Sequence, residues 1–121
     1  MLSKVKSMSL LGVDGYLVDV QVDVSGGLPA WDVVGLPDAS VKESKQRVRA
    51  ALHNVGVELP SRKIIINLAP ADVRKEGSWF DLPIAVGILR DLENINNDTY
   101  EDYVFIGELS LDGRINKIFG R

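Results

Sequence analysis

Residues Ile64–Leu89 read IIINLAPADVRKEGSWFDLPIAVGIL. The opening run, Ile64–Ala69, is continuously β-rich, the pattern of a strand covered on both faces. From Asp81, DLPIAVGILRDL reads as a helix, with Asp81 suited to the N-cap and Pro83 tolerated in the first turn. Leu82, Ile84, Ala85, Val86, Ile88 and Leu89 leave it little polar face, which predicts a buried helix. Between strand and helix lies Ala71–Leu82, ADVRKEGSWFDL, where Lys75 stands close to Ser78. A Ser–Lys hydrolase needs those two groups in hydrogen-bond reach and a desolvated amine. The loop is polar, and nothing in it desolvates Lys75. The expectation is a connector, in which Gly77 supplies a turn, Asp81 caps the helix, and Trp79 and Phe80 pack.

Upstream, Tyr16–Val24, YLVDVQVDV, alternates with a period of two, so Val18, Val20, Val22 and Val24 share one face of a half-buried strand. The preceding run KVKSMSLLG pairs with it in a hairpin predicted to turn at Asp14-Gly15. SGGLP breaks the chain, and AWDVVGL reads as a third strand, stopped by Pro37 and Asp38. A helix then runs to about Asn54, with Ser40 and Glu43 at capping-box spacing and Asp38 as a rival N-cap. Its apolar stripe is Val41, Val48, Ala51, Leu52 and Val55. Lys42, Gln46, Arg49 and His53 form a polar row, Glu43 pairs with Arg47, and Gly56 suits the helix C-terminus. Downstream, ENINNDTYED is a polar connector, and YVFIGELSL, the turn Asp112-Gly113 and RINKI form a last hairpin. The order β-β-β-α-β-α-β-β predicts an α/β (α+β) fold, a two-layer sandwich of a mixed β-sheet and two helices.

The 121 residues suit one domain, 1–121, with a real core. The end at FGR, just after the last strand, predicts a piece of a longer protein. There is no apolar run near the length of a membrane span and no secretory leader pattern, so the expectation is a cytoplasmic protein without a membrane partner. The lack of Cys excludes disulfides and thiolate metal sites, and the single His53 makes no His-rich site, so no metal site is expected. Neither GxxxxGK[ST] nor GxGxxG after a strand occurs, so the chain itself carries no recognisable nucleotide or cofactor loop. Trp31 and Trp79 read as packing residues.

Net charge is −3, but the charges are unevenly spread. Lys42–Lys75 carries Lys42, Lys45, Arg47, Arg49, Arg62, Lys63, Arg74 and Lys75 against Glu43, Glu58 and Asp72. Asp91–Asp112 carries only acids. A basic patch for sequence-independent, salt-sensitive phosphate contact is therefore a candidate, with Arg47, Arg49, Arg62, Lys63, Arg74 and Lys75 as its residues. The rival expectation is that the acidic stretch meets the basic stretch of a neighbouring copy.

The stretches DVVGLPDASVKESKQRVRAAL, INLAPADVRKEGSWFDLPIAVGIL and FIGELSLDGRI together resemble the N-terminal domain of the ComM/YifB family, the bacterial Mg-chelatase-like AAA+ ATPases. The resemblance spans nearly the whole chain. It implies a fold like the C-terminal domain of Lon protease and an AAA+ ATPase domain beyond Arg121, where ATP and Mg would bind. It further implies a part in DNA processing such as branch migration during natural transformation, with DNA as a partner and self-association into a hexameric ring. A Lon-type nucleophile loop reads KDGPSAG. Laid on KEGSWFD, it matches Lys75, Glu76 and Gly77, puts Ser78 at the proline and Trp79 at the nucleophile. The resemblance thus implies no catalytic residues here. Two alternatives to a DNA-contacting scaffold remain open: an oligomerisation domain without DNA contact, and a Ser–Lys hydrolase.

Overall fold

The computed structural model describes residues 2–11, 14–59, 61–92 and 99–116. Strands β1 (Leu2–Leu11), β2 (Asp14–Ser25), β3 (Ala30–Val34) and β4 (Lys63–Ala69) make a mixed sheet in the order β1-β2-β4-β3. β1–β2 and β2–β4 are antiparallel, and β3–β4 is parallel. Helices α1 (Ala39–Lys42) and α2 (Ser44–Asn54) connect β3 to β4. Helix α3 (Asp81–Asp91) packs across β1 and β2 and against α2. A 3-10 turn (Thr99–Asp102) precedes a two-stranded ribbon of β5 (Glu108–Leu109) and β6 (Ile115–Asn116). This is the two-layer sandwich expected from the element order.

The valine alternation of β2 sets the register. Val18, Val20, Val22 and Val24 face inward, Val20 lies between Val5 and Leu68, and Val22 lies beside Ile66. Each such side chain contributes about 1.5–3 kcal/mol by leaving water. α3 comes so close to the sheet that a Cβ on Gly87 would stand 2.5 Å from Val22 Cγ2. Besides Val5, the inward positions of β1 are Ser3, Ser7 and Ser9, which are buried. Ser3 donates to Asp91 Oδ1 at 3.0 Å, Asp91 Oδ2 accepts the Val24 N–H at 2.7 Å, and Ser7 donates to the Phe105 carbonyl at 2.8 Å. The last turn of α3 is thereby tied to the sheet.

Several local expectations shift. The first hairpin does not turn at Asp14-Gly15, because Asp14 already pairs with Leu11 and Gly15 with Leu10. The register leaves 12 and 13 between the strands, outside the described residues. β4 is not covered on both faces. Ile64, Ile66 and Leu68 are buried, whereas Ile65, Asn67 and Ala69 are half-buried on the other face, flanked by β2 and β3. An unbroken apolar run here reflects a central strand, not a second covering layer. Asp38, rather than Ser40, caps α1, its Oδ1 accepting the Val41 N–H at 2.8 Å. The single predicted helix breaks at Glu43, where the Ser44 hydroxyl donates to the Val41 carbonyl at 2.5 Å. Such back-bonding competes with the helical ladder. Val55, expected in the apolar stripe, is exposed past the end of α2, where Gly56 takes a φ of 91°. The final turn at Asp112-Gly113 is as expected, with two residues of each strand among the described residues; Lys117 and Ile118 of the predicted second strand lie outside them. The run before β5 instead extends the sheet edge, with Val104 bridging to Lys6 and the Phe105 N–H donating to the Lys6 carbonyl at 2.9 Å.

Candidate nucleic-acid interface

The connector between β4 and α3 crosses the segment that leaves β3. Gly35 there has a φ of 102°, and a Cβ on it would stand 2.3 Å from the Leu68 carbonyl oxygen, so only glycine fits. Lys75 pairs with this segment through its backbone: its N–H donates to Leu36 O at 3.0 Å, and its carbonyl accepts from Asp38 N at 2.9 Å. Its side chain is wholly buried, and the ammonium donates to the carbonyl oxygens of Gly35, at 2.9 Å, and Pro70. Desolvation pulls the amine below its ordinary pKa, with the nearby Asp72 charge opposing. The expectation of a solvated Lys75 is corrected here. Two chain segments leave adjacent parallel strands at this point, and their inward carbonyls require a donor.

Ser78 does not face that amine. Its hydroxyl donates to Glu108 Oε1 at 2.5 Å, while Asn116 Nδ2 donates to Glu108 Oε2 at 3.0 Å. These bonds, Ser78's first, hold the Glu108 carboxyl below its ordinary pKa. Trp79 Nε1 donates to the Met8 carbonyl at 2.9 Å, Phe80 is fully buried, and Gly77 takes the predicted positive φ, 96°. Lys75, Ser78 and Trp79 thus fasten the connector to different neighbours.

Asp81 is not a cap. The cap position belongs to Phe80, and Asp81 is the first helical residue, fully buried. Its carboxylate accepts from Arg47 Nε at 2.6 Å, Arg47 Nη2 at 3.1 Å and the Leu109 N–H at 3.1 Å. Arg47 also reaches the Ser40 carbonyl at 2.8 Å and Glu43 at 3.4 Å. Burial raises the Asp81 pKa even against Arg47, and the Asp81 bond raises that of Arg47. One carboxylate therefore joins α2, α3 and β5, and Arg47 is drawn into this internal pair.

The structure does not gather the six candidate cations into one patch. Arg47 and Lys75 are committed internally. Arg74 is exposed and pairs with Glu76 at 3.1 Å. Lys63 points to the open sheet face, opposite Ile64. Only Arg49 and Arg62 come together, lining a groove of about 290 Å³ with Lys45 and Trp31. Lys45, in the basic segment but outside the six candidates, joins them; its spacing of four from Arg49 on α2 is the signal that finds it. The acidic stretch is dispersed as well. Asp91 is buried beside Ser3, Glu108 holds Ser78, and Asp112 pairs with Arg114 at 2.9 Å, while Glu101 and Asp102 are exposed. Glu93 and Asp98 lie outside the described residues. Among the described residues no three His, Asp or Glu side chains gather as metal ligands, and no helix is long and apolar enough to cross a membrane.

A family profile described as subunit ChlI of Mg-chelatase matches residues 20–121. The chain is 44% identical over 119 residues to the uncharacterized protein YifB of Escherichia coli, covering 98% of this chain and 24% of that protein. It is 42% identical over the same length to the competence protein ComM of Haemophilus influenzae, covering 98% of this chain and 23% of that one. An uncharacterized Mycobacterium tuberculosis protein is 38% identical, with 98% and 24% covered. The chain thus spans about a quarter of the length of these relatives. The profile match over most of the chain places it in the family described as subunit ChlI of Mg-chelatase, with YifB and ComM among its Mg-chelatase-like relatives.

Proposed function

We propose that this chain is a non-catalytic N-terminal module of a Mg-chelatase-like AAA+ ATPase that acts in DNA processing, serving as an assembly scaffold and as a DNA contact. The observation that carries the DNA contact is the groove of Lys45, Arg49 and Arg62, three exposed cations without ion-pair partners among the described residues. The name competence protein, carried by the Haemophilus relative, supports the DNA-processing reading. The non-catalytic reading rests on the connector, where Lys75 and Ser78 have separate partners. ATP and Mg are assigned to the remainder of the protein: this sequence has no P-loop, and its described carboxylates do not cluster. Self-association into a ring is likewise assigned to the full-length protein, in a cytoplasmic setting.

Anisotropy of a labelled oligonucleotide tests the contact. Binding is expected at low salt and alike for unrelated sequences, with a log–log salt slope of about −2 for three phosphate contacts on a single strand. Absence of binding at low salt overturns the DNA contact. It would favour instead an oligomerisation module, a reading supported by exposed Met8, Leu10 and Leu17 on the open sheet face.

A further inference from the structure

We infer that the groove between the first turns of α2 and the entry into β4 is a phosphate-binding site, with Lys45, Arg49 and Arg62 as its cationic donors and Trp31 as its neutral one. This deepens the DNA-contact reading and rests on it for the source of the phosphate. Lys45 and Arg49 stand four residues apart on α2 and so share one helix face. Arg62 ends the segment leading into β4, and its carbonyl accepts the Ala30 N–H at 3.3 Å, which fixes it beside the start of β3. Trp31 pairs in register with Ile64 and so turns toward the helix layer, forming part of the groove wall.

Two features separate this groove from a solvated basic surface. Its cations are unengaged: unlike Arg47, Arg74 and Arg114, none of Lys45, Arg49 and Arg62 has a hydrogen bond or ion pair among the described residues. Glu58 lines an adjoining depression with Arg49 and His53 and forms no ion pair with that Arg. Asp32, next to Trp31, lies on the exposed opposite face of the strand. Trp31 Nε1, moreover, is shielded from water and has no acceptor. A covered donor left unpaired is unfavourable. An oxyanion drawn in by three cations supplies an acceptor once the indole, which lines the groove, swings its N–H outward to meet it. Guanidinium forks match the oxygens of a phosphate, and an indole N–H adds a donor without charge. At about 290 Å³ the groove has room for a phosphate with its sugar.

The test is the amide and indole NMR spectrum of the chain, whose two Trp side chains are Trp31 and Trp79. Trp79, bonded to the Met8 carbonyl, serves as the internal reference. The probes are a short oligothymidylate, thymidine monophosphate, inorganic phosphate and polyglutamate. The expected result is a shift of the Trp31 indole resonance with the phosphate probes, strongest with the oligonucleotide and lost at high salt, while Trp79 stays in place. Arg49→Ala/Arg62→Ala is expected to weaken oligonucleotide binding about tenfold and flatten the salt slope by about 1.4, leaving about −0.7. Both residues are exposed, so the fold is retained. Trp31→Phe keeps the ring and removes the donor, and is expected to weaken binding a few-fold at an unchanged salt slope. If the monophosphate and inorganic phosphate shift Trp31 but the oligonucleotide does not, the phosphate site stands and the DNA reading falls. If the oligonucleotide binds without moving Trp31, and equally well to the double variant, this inference falls and the DNA reading survives. A shift with polyglutamate as strong as with the phosphate probes also overturns it.

Discussion

Asp81→Ala is expected to remove about 3–5 kcal/mol of stability, the usual consequence of breaking one side of a buried ion pair. Three donors lose their acceptor at once: Arg47 Nε, Arg47 Nη2 and the Leu109 N–H. Arg47 is left largely buried with only the exposed Glu43, at 3.4 Å, as a counter-charge. Denaturant unfolding measures the effect. The double change Arg47→Met/Asp81→Leu is expected to be milder than Asp81→Ala, because it removes both charges together. The pH dependence follows from the raised Asp81 pKa. A carboxyl whose folded pKa lies above its unfolded one contributes stability that is fully present below the ordinary carboxylate range. That contribution is lost as pH rises through the raised folded value. Asp81→Asn cannot titrate, so its stability curve is expected to be flatter across that window than that of the natural chain. A small loss in Asp81→Ala, below about 1 kcal/mol, would mean that the pair is solvated and of the surface kind.

Lys75→Ala is expected to lower stability by about 3 kcal/mol or more. Truncating a fully buried side chain of this length removes packing worth about 2–5 kcal/mol. It also strips the donor from the Gly35 and Pro70 carbonyls. Lys75→Met separates the two contributions, since it keeps most of the volume and drops the ammonium. It is expected to recover most of the packing and to remain less stable than the natural chain. If Lys75→Ala unfolds at the same denaturant concentration as the natural chain, the amine is not where the fold places it.

These two residues mark the limit of what the sequence reveals. The alternation of β2 was legible because a strand with one covered face writes a period of two into its own residues. Gly56 and Gly77 were legible because a positive φ leaves few other choices. The Asp38 cap was visible as a rival to Ser40, but Ser44, whose hydroxyl takes the Val41 carbonyl, gave no sign that it would break the helix. Asp81 looked like a cap because it opens a helix. Its actual partner, Arg47, stands 34 positions away on an element that only tertiary packing brings near. Lys75 meets the Gly35 carbonyl across 40 positions, while its neighbour Arg74 points to solvent. Adjacent residues of an extended segment face opposite ways, and composition cannot tell which faces in. Of the six cations named as an interface, the same blindness let internal and external charges count alike. The groove itself needed α2 brought beside the start of β3, which no local pattern encodes.

Lysine acetylation read by mass spectrometry, with and without a short oligothymidylate, tests the division between internal and ligand-facing charge most directly. The expected result is that Lys75 stays unmodified in the folded chain, Lys45 is modified and becomes protected by the oligonucleotide, and Lys63 is modified whether or not it is present. Modification of Lys75 at the rate of Lys45, or equal reactivity of Lys45 with and without the oligonucleotide, would contradict it.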